Sequence, residues 1–377
     1  MKHIIKVKDL RVSFRSANNR KKIIQIIRGI SFNIEPGKIF GFIGESGSGK
    51  SVTAKAMFGM NENAISVADE FIIDGTDMLL NKPVSKLSKK NEFKNQLNIP
   101  GSRDIITNQS EWRKIRGKKI TYIPQNPMTS LNPTMKIRNQ LLESLGKASK
   151  LSKTEKIHKI INLLESFGMR NAKARINSFP HEFSGGMRQR VVIAMAVLSN
   201  PSVIIADEPT TALDPSIQAS VLKLFKDIVK KTNIALIFVS HDISVISLLV
   251  DVVNVFYAGR IVETGDKYDV FTNPKHPYTW ALLSSMPESN KKGDTLYTLK
   301  GSPPNFAALP NGDPFSVRNP QPLKVDFKEE PSLFEVGDAS GHMAATWLLH
   351  PDAPIIKPPK QVLLIASEIK KDMKHAK

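Results

Sequence analysis

The 377 residues include no cysteine. Iron–sulfur clusters and metal fingers use thiolate ligands, so the sequence argues against both kinds of centre. Long apolar runs are missing as well, because one of the longest, residues 191–198, is far shorter than the roughly 18 to 20 residues that cross a bilayer. The first nine residues mix charged and apolar side chains, unlike a secretory signal. We therefore expect a protein that stays in the cytosol and contacts a membrane only through partners.

Acidic residues are the minority of the charged side chains, with 35 Asp and Glu against 54 Lys and Arg. The net charge of +19 is concentrated in residues 86–119 and 146–175. A basic surface is typical of nucleic-acid-binding proteins. No base-reading helix pattern or RNA-binding aromatic signature accompanies it, however, and a surface near an anionic membrane leaflet explains the charge as well. We expect no nucleic-acid partner.

The most specific local pattern is a glycine-rich phosphate loop, G-x-x-x-x-G-K-[ST]. The chain matches it at Gly44, Glu45, Ser46, Gly47, Ser48, Gly49, Lys50 and Ser51. In such loops backbone N–H groups surround the nucleotide phosphates, the lysine reaches the β- and γ-phosphates, and the final hydroxyl binds Mg²⁺. A buried-strand pattern at residues 38–43 precedes the loop and a helical pattern at residues 51–57 follows it. The sequence therefore predicts a nucleotide site.

Two adjacent acids end a second buried-strand pattern, at residues 203–206. We predict that Asp207 helps to hold Mg²⁺ and that Glu208 is the general base for an attacking water. An ordinary strand-to-loop exit would explain the two acids alone. The segment of residues 209–214 that follows them at once favours the catalytic interpretation.

Together with further segments in the same order, these residues resemble the ATP-binding cassette (ABC) family. The similar positions are the A-loop aromatic Phe14, the Q-loop residue Gln125, the signature residues Ser184, Gly185 and Gly186, the D-loop residue Asp214 and the switch histidine His241. The resemblance implies ATP hydrolysis, with Gln125 and His241 sensing the γ-phosphate and Gln125 also at the metal. It further implies that the signature completes the ATP site of an opposite subunit, and hence a dimer of cassettes.

Two of these roles have simpler alternatives. Phe14 fits a strand with a core phenylalanine as well as a ring stacked on adenine. His241 alone would more often be an ordinary surface or core histidine, but it follows the apolar strand pattern of residues 234–239, beside the predicted ends of the other strands.

The fold class implied by the resemblance is α/β. It comprises an ABC-type P-loop ATPase core with a mostly parallel sheet and an antiparallel β subdomain, a helical signature subdomain, and a loop-rich C-terminal extension. We expect the ATPase domain over residues 1–265, with the helical subdomain at about 131–189, where apolar residues recur at helical spacing. Residues 81–110 are polar with Pro and Gly, which indicates a surface insertion.

The extension, residues 266–350, is similar to that of ATPase subunits of oligopeptide and dipeptide importers. The similar segments are residues 273–279, 282–287, 301–304 and 310–318, and residues 351–377 follow as a basic tail. The resemblance implies a second ATPase subunit, favoured to be a paralogue, two membrane permease subunits and an extracytoplasmic peptide-binding protein, with this chain at the cytoplasmic face of the membrane. The alternatives are an importer of nickel or another small solute, and a soluble ABC protein acting on ribosomes or DNA.

Many such extensions carry four cysteines for an iron–sulfur cluster. The corresponding positions here are Asp313, Asn319, Asp326 and Thr346. Aspartates suit hard cations, but Asn and Thr complete a poor ligand set. We expect no cluster, and an extension held by its prolines and by packing of Phe315, Leu333, Phe334, Trp347 and Leu348.

Overall fold

The computed structural model describes residues 3–16, 22–83, 103–105, 109–126, 129–146, 151–211, 213–285, 299–337 and 341–375. Its strands are β1 (Ile5–Arg15), β2 (Ile23–Ile34), β3 (Ile39–Ile43), β4 (Ala64–Ala68), β5 (Glu70–Ile73), β6 (Thr76–Asp77), β7 (Leu79–Pro83), β8 (Arg103–Ile105), β9 (Ile120–Ile123), β10 (Val203–Asp207), β11 (Ala235–Ser240), β12 (Val252–Tyr257), β13 (Arg260–Asp266), β14 (Phe334–Glu335) and β15 (Met343–Ala344). Its helices are α1 (Lys50–Met57), α2 (Gln109–Ile115), α3 (Ile137–Ser144), α4 (Lys153–Ser166), α5 (Ala172–Arg175), α6 (Gly185–Leu198), α7 (Pro215–Thr232), α8 (Ile243–Leu249), α9 (Lys267–Thr272), α10 (Pro277–Ser284) and α11 (Lys360–His375).

The central sheet has the order β14-β15-β13-β12-β3-β11-β10-β9. Neighbouring strands in the part β9-β10-β11-β3-β12 pair in parallel. The strands β13, β15 and β14 then continue the sheet with antiparallel pairing. Parallel strands bring their carboxyl ends to one edge, where ligands bind in open α/β sheets. The loop after β3 and the acids at the end of β10 therefore meet at one edge.

A second, antiparallel sheet lies beside the first. Strand β1 pairs with β2 along one side and with β5 and then β4 along the other. The predicted combination of a mostly parallel sheet with an antiparallel one is confirmed.

Alternate side chains of β3 face two separate parts of the hydrophobic core. Phe40 and Phe42 pack with α1 and the antiparallel sheet, whereas Ile39 and Ile43 face the helical side. All five residues of β3 are buried, as expected for a strand covered on both faces. The phosphate loop thus leaves a strand that is fixed by packing on both sides.

The helical spacing predicted around residues 131–189 is confirmed by α3, α4 and the following helices. Helix α4 begins with a capping box between Ser152 and Glu155, and it buries Ile160 and Leu164. Helix α6, which begins with the predicted signature residues Gly185 and Gly186, contacts both α3 and α4. The boundaries given for this subdomain stay predictions.

Most of the polar insertion predicted at residues 81–110 lies outside the described residues. At its two ends, β7 and β8 pair antiparallel, and β8 pairs with β4. The chain therefore leaves and returns at the end of the antiparallel sheet. In the described parts of the chain, no helix combines the length and the apolar character needed to cross a membrane.

The C-terminal region contains more regular structure than composition indicated. Strand β15 of the extension pairs with β13 of the ATPase core. The segment predicted only as a basic tail contains α11, which contacts α9 and α10 and buries Val362, Ile365 and Ala366. Its apolar side chains recur at helical spacing, a signal that the basic composition had hidden.

Candidate active site

The phosphate loop joins the buried end of β3 to α1. Gly44 has φ of 151°, and a Cβ there would collide with the carbonyl oxygen of Phe256. Gly49 has φ of 109° and precedes α1 without any side-chain cap. The first N–H groups of a helix lack intrahelical partners. With no acidic residue in the first turn of α1, they are available to an anion such as a phosphate.

Lys50 lies under the loop and is 4% exposed. Its Nζ donates to the carbonyl oxygens of Gly44, at 2.7 Å, and Glu45, at 2.8 Å, and to Ser48 Oγ at 3.3 Å. Burial lowers the pKa of Lys50 to about 8, while the negative charges of Glu208, Asp207 and Glu45 act in the opposite direction. A bound polyphosphate would add negative charge beside Lys50 and so favour the protonated, charged form of the side chain.

Asp207 ends β10 and is 2% exposed. Ser51 Oγ donates to its Oδ1 at 2.9 Å, and Tyr122 OH donates to its Oδ2 at 2.7 Å. A hydroxyl and a carboxylate in contact at the end of the phosphate loop are hard oxygen donors, which fit Mg²⁺. Gln125, the third predicted metal ligand, donates instead to Glu208.

Glu208 has the backbone conformation of a left-handed turn, with φ of 48°, and its N–H donates to the carbonyl oxygen of Val239 at 3.0 Å. Its Oε2 accepts from Gln125 Nε2 and from Thr211 Oγ1, both at 3.1 Å. Its Oε1 lies 3.3 Å from His241 Nδ1. Left-handed backbone is costly for a residue other than glycine and concentrates at functional sites. The structure thus brings the predicted base, Gln125 and His241 together.

A cavity of about 660 Å³ opens above this cluster. Glu45, Ser46, Gln125, Glu208 and His241 line it, together with residues of the extension that include Ala281 and Leu282. The wall supplied by the extension was not predicted from the sequence.

The remaining predicted residues lie away from that cavity. Phe14 lies in β1 and is only partly buried against the core of the antiparallel sheet, so its stacking on adenine stays a prediction. Ser184 precedes α6, and its hydroxyl makes no capping bond. A Cβ on Gly186 would come within 3.0 Å of Ile217, so glycine allows α6 to approach α7. Asp214 caps α7 by accepting from the N–H of Ile217 at 2.9 Å.

The four positions predicted to correspond to cluster cysteines serve local turns. Asp313, Asn319 and Thr346 each accept a hydrogen bond from the backbone N–H two residues later, and Asp326 accepts from that of Leu323. Burial raises the pKa of Asp313 to about 7. Throughout the described ranges, no group of three or more His, Cys, Asp or Glu is arranged to hold a metal ion.

Packing of the extension follows the prediction in part. Phe315 is fully buried against the rings of Tyr257 and Tyr278, and Phe334 contacts Trp347 with ring centroids 5.9 Å apart. Leu348 packs against the main core. Leu333 is half-buried.

Four side chains around the site were not predicted. Tyr122 and Thr211 contact Asp207 and Glu208, while Tyr278 and Arg318 contact Glu45. Tyr122 and Thr211 each lie three residues from a predicted site residue, so proximity was an available signal. No sequence pattern links Arg318 to a residue 273 positions earlier.

Two protein-family models match the chain. The model described as ABC transporter matches residues 27–211, and the model described as oligopeptide/dipeptide transporter, C-terminal region, matches residues 262–324. The second match begins in β13 and covers α9, α10, Asp313 and Arg318.

Similarity to individual proteins extends over nearly the whole chain. The oligopeptide transport ATP-binding protein OppD of Bacillus subtilis is 43% identical over 95% of this chain and 92% of its own length. The dipeptide transport ATP-binding protein DppD of Lactococcus lactis is 40% identical over 96% of this chain and 95% of its own length.

Solved structures support the fold. The dimeric structure of a bacterial ABC transporter cassette has a TM-score of 0.53 at 22% identity, covering 70% of this chain and 98% of that one. The same cassette, in a post-hydrolysis state bound to ADP and Pi, has a TM-score of 0.51 at 21% identity, covering 70% of this chain and 98% of that one. The predicted fold class, an ABC-type ATPase core, is confirmed.

Proposed function

The chain belongs to the ABC family of ATP-binding subunits of oligopeptide and dipeptide transporters, and on that premise we propose that it hydrolyses ATP to energise import of oligopeptides across the cytoplasmic membrane. Two features that occur together in this chain support the proposal most strongly. The chain holds a buried lysine and a pair of carboxylates at the mouth of a phosphate loop, and it continues into an extension of the peptide-transporter type.

The reaction is phosphoryl transfer from ATP to water. Lys50 and the loop amides hold the phosphates, and Glu208 accepts the proton of the attacking water. Gln125 and His241, which contact the Glu208 carboxylate, respond to the γ-phosphate. A bound Mg²⁺, held by Ser51, Asp207 and Gln125, would neutralise charge on the phosphates. Phe14 stacks on the adenine.

The signature residues support a dimer of cassettes. Ser184 precedes a 14-residue helix that begins with Gly185 and Gly186. The Ser184 hydroxyl makes no capping bond, and none of the three residues lines the cavity above Glu208. We infer that they complete the ATP site of a second cassette, with Asp214 at the interface. Alternating closure and reopening of the two cassettes would then drive the membrane subunits.

The assembly would contain a second ATPase subunit, favoured to be a paralogue, two permease subunits and an extracytoplasmic peptide-binding protein. This chain would sit peripherally on the cytoplasmic face of the membrane, gripped through its helical subdomain and Q-loop. No iron–sulfur cluster and no nucleic acid take part.

Affinity purification of the assembled complex tests this proposal. A tagged chain is extracted from membranes with mild detergent, and the copurifying proteins are identified by mass spectrometry. A second ATPase subunit, two permeases and a peptide-binding protein are expected to copurify. Copurification with ribosomes or DNA would contradict a transport role, and a nickel-binding protein in place of the peptide-binding protein would contradict the substrate.

A further inference from the structure

Glu45, the second residue of the phosphate loop, has all of its polar groups engaged. Its carboxylate accepts two hydrogen bonds from the guanidinium of Arg318, at 2.5 and 2.9 Å. Its backbone N–H donates to Tyr278 OH at 2.8 Å. Its carbonyl oxygen accepts from Lys50 Nζ at 2.8 Å. Two of these three partners belong to the C-terminal extension.

Arg318 is itself held from several directions. Its side chain is 5% exposed. Nε donates to the carbonyl oxygen of Lys300 at 3.1 Å, and Nη1 donates to Tyr257 OH at 3.3 Å. Tyr257 ends β12, beside the strand that leads into the loop. Contacts with both the extension and the central sheet therefore fix Arg318, and Arg318 in turn fixes the position of the Glu45 carboxylate.

Tyr278 is equally constrained. It is fully buried at the start of α10, and its ring packs against Tyr257, with centroids 4.6 Å apart, and against Phe315. Its hydroxyl oxygen therefore cannot follow the loop if the loop moves.

From these contacts we infer that the extension positions the phosphate loop: Arg318 and Tyr278 hold Glu45, and through the carbonyl oxygen of Glu45 they hold Lys50, in the conformation that binds nucleotide. A loop that is already ordered loses less conformational freedom on binding, so its affinity for phosphates is higher. The inference rests on the proposed ATP site and adds two positioning residues to it.

The same extension offers a matched control. Glu330 pairs with Arg28 at 2.6 Å and with Arg260 at 3.1 Å, and within the described ranges none of these three side chains contacts the phosphate loop directly. The nearest link is through the backbone, where Arg28 N–H donates to Gly259, whose own N–H donates to Ser48. Glu330→Gln weakens the attachment of the extension at a comparable charge-assisted contact and leaves Glu45 untouched. If the extension only stabilised the fold, Glu330→Gln and Arg318→Met would change the affinity for nucleotide to the same extent.

The test measures the Kd of a fluorescent ATP analogue for the purified full-length chain. Tyr278→Phe removes only the hydroxyl, and Arg318→Met keeps an apolar stem without the guanidinium. We expect Arg318→Met to raise Kd about tenfold, the size of one charge-assisted hydrogen bond, and Tyr278→Phe to raise it a few-fold. Arg318→Lys should restore part of the loss, and Glu330→Gln should leave Kd unchanged.

Two further readouts separate positioning from stability. Amide hydrogen exchange in the peptide that contains Gly44 to Gly49 should become faster in Tyr278→Phe and Arg318→Met but not in Glu330→Gln. Adding Arg318→Met to Glu45→Gln should cost little more than Glu45→Gln alone, because the two side chains act through one contact.

Wild-type Kd and wild-type exchange in Tyr278→Phe and Arg318→Met would overturn the inference, and so would an equal loss of affinity in Glu330→Gln. If Arg318→Met fails to fold, Tyr278→Phe and Glu45→Gln decide the question. Lys50→Ala tests the proposed ATP site separately. Unchanged nucleotide binding in that variant would refute the site itself.

Discussion

Replacing Glu208 with glutamine should strongly slow ATP hydrolysis without disturbing the site. The amide keeps the shape of the carboxylate, and its oxygen can still accept from Gln125 Nε2 and Thr211 Oγ1. Its NH₂ group would face His241 Nδ1, which accepts a hydrogen bond when the neutral ring carries its proton on Nε2. The backbone, with φ of 48°, is equally strained in both residues. We therefore expect the free energy of unfolding to change by less than about 1 kcal/mol.

The loss of hydrolysis follows from the loss of the base. A positioned general base contributes roughly 10²-fold to 10⁴-fold, equivalent to about 3 to 5 kcal/mol of activation free energy. Glu208→Gln should lower single-turnover hydrolysis by at least about 10²-fold while ATP still binds. Because two sites are expected in the assembly, the assay uses a complex whose second site is disabled.

Two variants serve as controls. Glu165→Gln removes an exposed carboxylate from α4 and should hydrolyse ATP normally. Lys50→Ala should differ in kind, since it should weaken nucleotide binding itself. Wild-type turnover in Glu208→Gln, with the second site silent, would refute the assignment of the base.

The remaining predictions concern the lysine, the metal and the extension. Because burial places the pKa of Lys50 at about 8 and bound phosphates favour the charged form, ATP affinity should be constant below about pH 7 and fall by up to tenfold per pH unit above about pH 8. Lys50→Arg, which stays charged, should lack that decline; a titration of Kd against pH that is flat for wild type would contradict the burial argument. Tyr122→Phe removes one hydrogen bond to Asp207 and should raise the Mg²⁺ concentration for half-maximal ATPase activity a few-fold, and an unchanged Mg²⁺ dependence would rule out a role at the metal. Protein purified without oxygen should contain no stoichiometric iron and no cluster absorption, because the chain has no thiolate ligand; iron at cluster stoichiometry would show that the alignment of the extension is wrong.

The parts of the site that sequence alone could predict are those encoded by local spacing. Lys50 follows a strand pattern and opens a helix pattern, and Asp207 ends an apolar run, so chain neighbours were enough to place both. Parallel pairing of β10, β11 and β3 then brings Glu208 and His241 to one edge, as the fold class implies.

Other contacts depend on tertiary packing that no local pattern records. Arg318, which also contacts Tyr257 of β12, meets Glu45 from 273 positions away in the chain. Gln125 likewise donates to Glu208, which is 83 positions away. The helix α11 was missed for a different reason, since abundant lysines masked its apolar spacing.

ATP-driven peptide import can be measured as peptide uptake by the reconstituted complex. The purified transporter is placed in liposomes with ATP on the side of the ATPase subunits and labelled short peptides, with their binding protein, on the other. Peptides should accumulate on the ATP side, and the accumulation should stop when this chain carries Glu208→Gln. Peptide uptake that is independent of ATP, or ATP-driven uptake of nickel ions without uptake of peptides, would contradict ATP-driven peptide import.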